Sequence, residues 1–178
     1  MMVLVTGGAA SGKSELAEGI VCRLAQGRPM LYVAAMEPAG EEAQRRIARH
    51  RALRAGKGFT TLEHAKRFDT LRVPSGYRAA LFECMSNALA NEMFSPGGAG
   101  DGWKDSILSG IEALTRACGQ VVIVTNDIFA DGRTYDAGTM AYLYALGEIN
   151  QLLAQRADAV VESVCGIPVV RKGESFFG

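Results

Sequence analysis

The chain has 178 residues, 48% of them hydrophobic and 21% charged, which suits one domain, residues 1–178, with a substantial core. Its 19 basic residues balance its 19 acidic ones, so no global field draws it to nucleic acid or anionic lipid, and any grip on phosphate must be local. Cys22, Cys84, Cys118 and Cys165 lie far apart with no Cys-x-x-Cys pair, which argues against a zinc site and a disulfide framework.

The chain begins with a short apolar run, Val3–Thr6, that stops at Gly7-Gly8 and predicts a buried strand. No basic segment leads into a long apolar stretch, and no run approaches the roughly 20 apolar residues of a membrane helix, so a cytoplasmic protein without a membrane span is expected. A helix follows from Lys13 to about Gln26, with Leu16, Ala17, Ile20, Val21 and Leu24 on one face and Gly27 and Pro29 ending it. Met30–Ala35 is a second strand. Glu41–Arg54 is arginine-rich, with sparse apolar positions, and predicts a mostly solvated helix. Phe59–Glu63 fits a short edge strand, and Ala79–Cys84 a third buried strand. Ser95–Gly102 has the composition of a flexible loop. A helix over Asp105–Ala117, a strand over Gln120–Thr125, a long helix over Thr139–Arg156 and strands over Ala159–Val164 and Pro168–Arg171 complete the chain. Apolar strands alternating with helices give an α/β fold with a mostly parallel sheet covered on both faces.

Gly7-Gly8-Ala9-Ala10-Ser11-Gly12-Lys13-Ser14 fits G-x-x-x-x-G-K-[ST], and it follows a strand and opens a helix. Such a loop turns backbone N–H groups around phosphate oxygens, and the helix N-terminus adds its dipole. Lys13 is expected to reach the β- and γ-phosphates, and Ser14 to ligate Mg²⁺. Magnesium also calls for an acid at the end of a neighbouring strand. Glu83 is the first choice and Asp127 the second.

The chain has 2 histidines. His50 lies among Arg45, Arg46, Arg49, Arg51 and Arg54, and this segment admits two readings. It is either a solvated polar helix or a nucleophilic imidazole whose arginine neighbours neutralise phosphoryl oxygens. His64, beside Glu63, is expected to be a surface residue.

Together Val3–Ser14, Leu31–Ala35, Arg46–Arg54, Thr61–Glu63, Glu83-Cys84, Thr125-Asn126, Gly147–Asn150, Ala157–Val160 and Gly166–Pro168 resemble the bifunctional adenosylcobinamide kinase/adenosylcobinamide-phosphate guanylyltransferase family of cobalamin biosynthesis. The P-loop is unspecific, whereas R-I-x-x-H-R-x-x-R followed by T-x-E is close to diagnostic. The resemblance implies a RecA-like P-loop fold, a homo-oligomer (a trimer), and the substrates GTP, ATP and adenosylcobinamide, with Mg²⁺ as cofactor. It implies that GMP passes from GTP onto His50 and then to adenosylcobinamide phosphate. The implied guanine-nucleotide contacts are Gly7, Gly8, Ala9, Ala10, Ser11, Gly12, Lys13 and Ser14. Others are Ala34, Ala35 and Met36, then Arg51, Ala52, Leu53 and Arg54, then Glu63 and Glu83.

Three departures from the family pattern stand out: Ala10 replaces the usual P-loop arginine, Phe59 the usual tryptophan, and the Asp127–Leu146 stretch lacks its arginine-rich segment. On the residues alone, a kinase of another small alcohol with no covalent step, or a non-catalytic nucleotide module, remains open.

Overall fold

The structure is a computed structural model. It describes residues 1–37, 40–128 and 132–174, with the backbone alone at 42, 43, 46, 49, 50 and 53. In chain order the elements are β1 (Met2–Thr6), α1 (Lys13–Ala25), β2 (Met30–Ala34), α2 (Gly40–Arg54), β3 (Phe59–Glu63) and β4 (Ala79–Glu83). They continue with α3 (Met85–Phe94), α4 (Trp103–Cys118), β5 (Gln120–Val124), α5 (Ala137–Arg156), β6 (Ala159–Val164) and β7 (Ile167–Lys172).

One seven-stranded sheet has the order β3-β2-β4-β5-β1-β6-β7. Its pairs are parallel except for the β6–β7 hairpin at one edge. Strand alternation divides the core. Val3, Val5, Leu81, Val122 and Val124 face Ala17, Ile20 and Val21 of α1. Leu4, Leu31, Phe82 and Ile123 belong to the opposite cluster, with Met85 and Leu89 of α3, Ile107 and Leu114 of α4 and Leu146 and Ile149 of α5. Because both faces are covered, β1, β2, β4 and β5 read as continuous apolar runs. β1 lies between β5 and β6, so the carboxyl ends of β1, β4 and β5 bound the crevice where open α/β sheets bind ligands.

The α/β expectation is borne out, and the structure adds to the sequence reading at three places. α3 had no sequence signal, because it starts directly at the end of β4 and Cys84 supplies no side-chain cap. Its inward residues Met85, Ser86, Ala88, Leu89 and Glu92 nevertheless follow helical spacing. The loop expected to be flexible, Ser95–Gly102, is pinned, and part of it forms a 3₁₀ turn at Gly100–Gly102. Its Ser95 hydroxyl donates to Glu37 (2.9 Å), its Pro96 carbonyl accepts from Lys66 (2.9 Å), and its Ala99 N–H donates to Glu92 (2.9 Å). Gly98 is required by close approach, since a Cβ there would stand 2.4 Å from the Asn91 carbonyl oxygen. Lastly, His64 is half-buried, edge-on to Phe68 at 5.2 Å, with its backbone N–H on the Ala34 carbonyl.

Glu92 organises this corner. Its fully buried carboxylate accepts from the Phe68 N–H (2.9 Å), the Ala99 N–H (2.9 Å) and the Ser106 hydroxyl (2.5 Å), joining α3 to α4, to the loop between them and to the β3–β4 connection. Removing an acceptor strands its donors at about 1–3 kcal/mol for a buried group. Glu92→Ala is therefore expected to lower unfolding free energy by roughly 3 kcal/mol in a urea titration, whereas an exposed change such as Glu41→Ala should stay within about 0.5 kcal/mol.

Candidate active site

Between β1 and α1 the chain makes the tight turn that the motif requires. Gly7 has φ 155° and Gly12 φ 86°, and Ala10 takes the left-handed conformation at φ 56°. A Cβ on Gly7 would meet the Ser11 hydroxyl at 2.6 Å and the Ser163 carbonyl at 2.8 Å, so only glycine fits. No side chain caps α1, which leaves its first N–H groups to an incoming anion. The Lys13 ammonium lies back on the loop, 2.8 Å from the Gly8 carbonyl oxygen. Two neighbours hold the loop from outside. The Asp127 N–H donates to the Gly7 carbonyl (3.1 Å), while the Gly166 N–H (2.8 Å) and the Ser163 hydroxyl (2.7 Å) donate to the Ser11 carbonyl.

Glu83 closes β4 beside this loop, and its side chain is buried. One carboxylate oxygen accepts a short hydrogen bond from the Ser14 hydroxyl. The other accepts from the Tyr32 hydroxyl at 3.1 Å. The Tyr32 ring in turn supports the Arg54 guanidinium, whose carbon lies 3.2 Å from the ring centroid. Arg54, expected on a solvated helix, is 6% exposed, because its guanidinium lies over the Tyr32 ring of β2. Burial, and then the Glu83 charge, push the Tyr32 pKa far above the usual phenol value, so Tyr32 remains a donor.

Beyond Glu83 opens a cavity of about 240 Å³, lined by Tyr32, Ala34, Met36, Gln44, Ile47, Ala48, Arg51, Arg54, Thr61, Glu63, Glu83, Cys84 and Asn87. It gathers six sequence-derived nucleotide contacts: Ala34, Met36, Arg51, Arg54, Glu63 and Glu83. The P-loop adjoins it through Ser14. Arg51 is paired with Glu63 across the mouth at 2.5 Å. Ala35 is buried outside the lining, its N–H on the Glu83 carbonyl (3.0 Å), and Ala52 also lies outside the lining. Asp127 reaches the P-loop through its backbone, with an exposed side chain, which leaves Glu83 as the carboxylate beside Ser14. The backbone of His50 lies in α2, one residue before Arg51 and one turn before Arg54; its side chain, like that of Leu53, lies outside the described residues.

Sequence reasoning missed Tyr32, which looks like an ordinary apolar strand residue, and the Gln44, Thr61 and Asn87 walls. It also missed Asn91, whose amide holds the carbonyls of Ala35 (2.8 Å) and Ala65 (3.0 Å) and so fixes both loops beside the cavity. Two buried polar atoms lack a hydrogen-bond partner among the described residues at this site: the Ser11 hydroxyl and Arg54 Nη1.

A parallel sheet whose first strand feeds a glycine loop onto a bare helix N-terminus, with an acid at the end of a neighbouring strand, defines a P-loop nucleotide-binding protein of the RecA-like type. Solved structures agree on the fold. The chain superposes on the flagellar accessory protein FlaH from Methanocaldococcus jannaschii with a TM-score of 0.51 at 11% identity, covering 96% of this chain and 77% of that one. It superposes equally on the KaiC-like protein PH0186 from Pyrococcus horikoshii OT3, with a TM-score of 0.51 at 16% identity, covering 96% and 79%. The chain belongs to the cobinamide kinase / cobinamide phosphate guanyltransferase family, whose model matches residues 3–170. Among its relatives are the bifunctional adenosylcobalamin biosynthesis protein CobP of Pseudomonas aeruginosa, 31% identical over 98% of this chain and 99% of that protein. CobU of Salmonella typhimurium, which carries the same description, is 32% identical over 95% and 98%. The chain is a nucleotide-binding transferase.

The tyrosines give a test by pH. Burial, then the nearby Cys84, push Tyr142 up to about 12, and Tyr32 lies higher still. A raised folded pKa means that the native state binds more protons than the unfolded chain once pH exceeds about 10, so this stabilisation is complete below pH 10 and is lost as pH climbs. An ultraviolet titration should show Tyr32 and Tyr142 un-ionised at about pH 10.5, and unfolding free energy falling above about pH 10. Tyr32→Phe should leave the tyrosinate signal at about pH 10.5 unchanged.

Proposed function

We propose that this chain phosphorylates adenosylcobinamide and transfers GMP from GTP to adenosylcobinamide phosphate through a guanylylated histidine, His50. The observation that carries the reading is the chain of contacts that links the phosphate loop to the arginine-walled cavity. Ser11 lies in the P-loop and Arg54 over Tyr32, and the Ser14–Glu83–Tyr32 chain joins their two compartments. A nucleotide spanning the two would meet the loop at one end and Arg54 at the other.

In the kinase step the aminopropanol hydroxyl oxygen attacks the γ-phosphorus, and the bond to the leaving nucleoside diphosphate breaks. Lys13 and the bare α1 N-terminus stabilise the charge on the phosphates. In the guanylyl step an imidazole nitrogen of His50 attacks the α-phosphorus of GTP, and pyrophosphate leaves. The phosphate oxygen of adenosylcobinamide phosphate then attacks the same phosphorus and releases the imidazole. Arg51 and Arg54 follow His50 in the sequence, and they neutralise the phosphoryl oxygens.

The residues fit magnesium. Ser14 and Glu83 are hard oxygen donors on one short bond, and no group of three or more acidic, His or Cys side chains exists among the described residues. That suits an ion held by one or two protein groups, with phosphate oxygens and water completing its shell. When bound, Mg²⁺ would offset the negative charge on the phosphates. The same reading takes the enzyme as a cytoplasmic homotrimer that binds no nucleic acid. It rests on the family resemblance and the balanced charge. No helix among the described residues is long and apolar enough to cross a membrane.

Three variants test the assignment. Lys13→Ala is expected to reduce both activities at least ~100-fold, corresponding to a lost charge contact of roughly 3 kcal/mol. Glu83→Gln should keep the fold and shift the magnesium titration of either activity to higher concentrations, with Asp127→Asn leaving it in place. With α-labelled GTP, wild type should acquire acid-labile, base-stable label, and His50→Asn none, while His50→Asn keeps a substantial part of the kinase rate. Labelling of His50→Asn would move the nucleophile elsewhere.

A further inference from the structure

We propose that the groove between α3 and the start of α5 holds the corrin macrocycle of the substrate, an assignment that rests on the activity proposed above. The outward stripe of α3 carries it. Met85, Ser86, Ala88, Leu89 and Glu92 are buried, and of the residues that are not, Asn87, Ala90 and Phe94 share one face, spaced i, i+3 and i+7. Asn87 lines the nucleotide cavity, and Ala90 and Phe94 line a separate groove of about 330 Å³ together with Asp136, Gly138, Thr139 and Tyr142. One helix face therefore runs from the nucleotide to the groove, over about 10 Å at 1.5 Å per residue. A large acceptor whose slim arm must reach a phosphoryl donor needs such a layout: a broad seat for the body, and a short path to the cavity.

The groove's chemistry matches the corrin. Phe94 is 57% exposed, and its ring lies 6.4 Å from the ring of Tyr142, giving an aromatic wall open to solvent. The Tyr142 hydroxyl is engaged with the Ser86 carbonyl (3.1 Å), which fixes the ring and leaves its apolar face to a ligand. Asp136 caps α5, accepting from the Thr139 N–H (3.0 Å) and the Thr139 hydroxyl (2.6 Å), and is the one charged residue in the lining. Its negative charge repels a nucleotide's phosphates and favours a cobalt(III) corrinoid, whose macrocycle is apolar and carries net positive charge. Asn87, whose amide has no hydrogen bond among the described residues, stands between the two compartments, with donors available to the substrate's amide-bearing arm.

Self-labelling by α-labelled GTP needs no corrinoid, and this separates the groove from the nucleotide site. In the full-length enzyme, Phe94→Ala is expected to raise the KM for adenosylcobinamide about tenfold, as befits an aromatic contact. KM for the nucleotide and the extent of labelling should stay within about twofold of wild type, and Phe94→Tyr should restore the corrinoid KM. Thr139→Trp, which fills the groove, should act in the same direction. An unchanged corrinoid KM in both Phe94→Ala and Thr139→Trp would overturn the proposal. So would a changed molecular mass for Phe94→Ala in light scattering at unchanged KM, which would make this face a contact between copies of the chain. If wild type neither labels nor phosphorylates adenosylcobinamide, the activity itself is misassigned and the groove assignment falls with it.

Discussion

A buried carboxylate has few ways to exist, and Glu83 uses two of them at once. It ends a central strand where the sheet meets solvent, accepts a hydroxyl from Ser14 on one oxygen, and accepts a second from Tyr32 on the other. Burying such a group without donors would be costly, so the positions of both hydroxyls are tightly constrained. Through Ser14 the constraint reaches the first turn of α1 and the phosphate loop. Through Tyr32 it reaches the face on which Arg54 lies, and hence the last turn of α2. Two helices with no sequence proximity are thus indexed to one side chain. An anion-binding loop and an arginine-walled cavity end up on opposite sides of the same acid.

A second constraint acts at the rim. The loops after β2 and β3 run side by side because Asn91 ties their carbonyls together, and Lys66, Glu37 and Ser95 add a polar seam beyond it. The Lys66 hydrogen bond, followed by that from Ser95, holds the Glu37 carboxyl below the usual carboxylate range. On the other flank Lys57, after α2, reaches the buried Glu18 of α1 at 2.6 Å, so α2 is anchored to α1 as well as to β2. That pair is tight because Glu18 is almost wholly withdrawn from water, while Lys57 stays partly solvated.

The phosphate loop, the strand pattern and the acid after β4 were legible because each leaves a local mark: glycines at fixed offsets, an apolar run, a carboxylate at its end. What was not legible depends on partners distant in sequence. Arg54 looks solvated in its own helix and becomes buried only when Tyr32, 22 residues earlier, presents its ring. Gly98 looks like a hinge and is in fact a point of closest approach to α3. α3 has neither cap nor breaker at its start, so nothing in its own ten residues marks where the strand stops. Thr125-Asn126 and Asn150, which carry part of the resemblance, join Ser86 in a hydrogen-bonded cluster behind the Asp127 loop. Their spacing does not reveal that role.

The hairpin of β6 and β7 has a consequence for the order in which the molecule is made. The phosphate loop is made before either of its braces, since its Ser11 carbonyl is held by Ser163 and Gly166, more than 150 residues later. β1 likewise lies between β5 and β6, both from the second half of the chain. From the synthesis of Ser14 until that of Gly166, a nascent chain therefore carries every residue of the glycine motif without the braces that shape it. Its capacity to hold a nucleotide should arise abruptly, when the β6–β7 hairpin closes. Premature termination anywhere before that hairpin would leave a polypeptide with an intact motif and an unbraced loop.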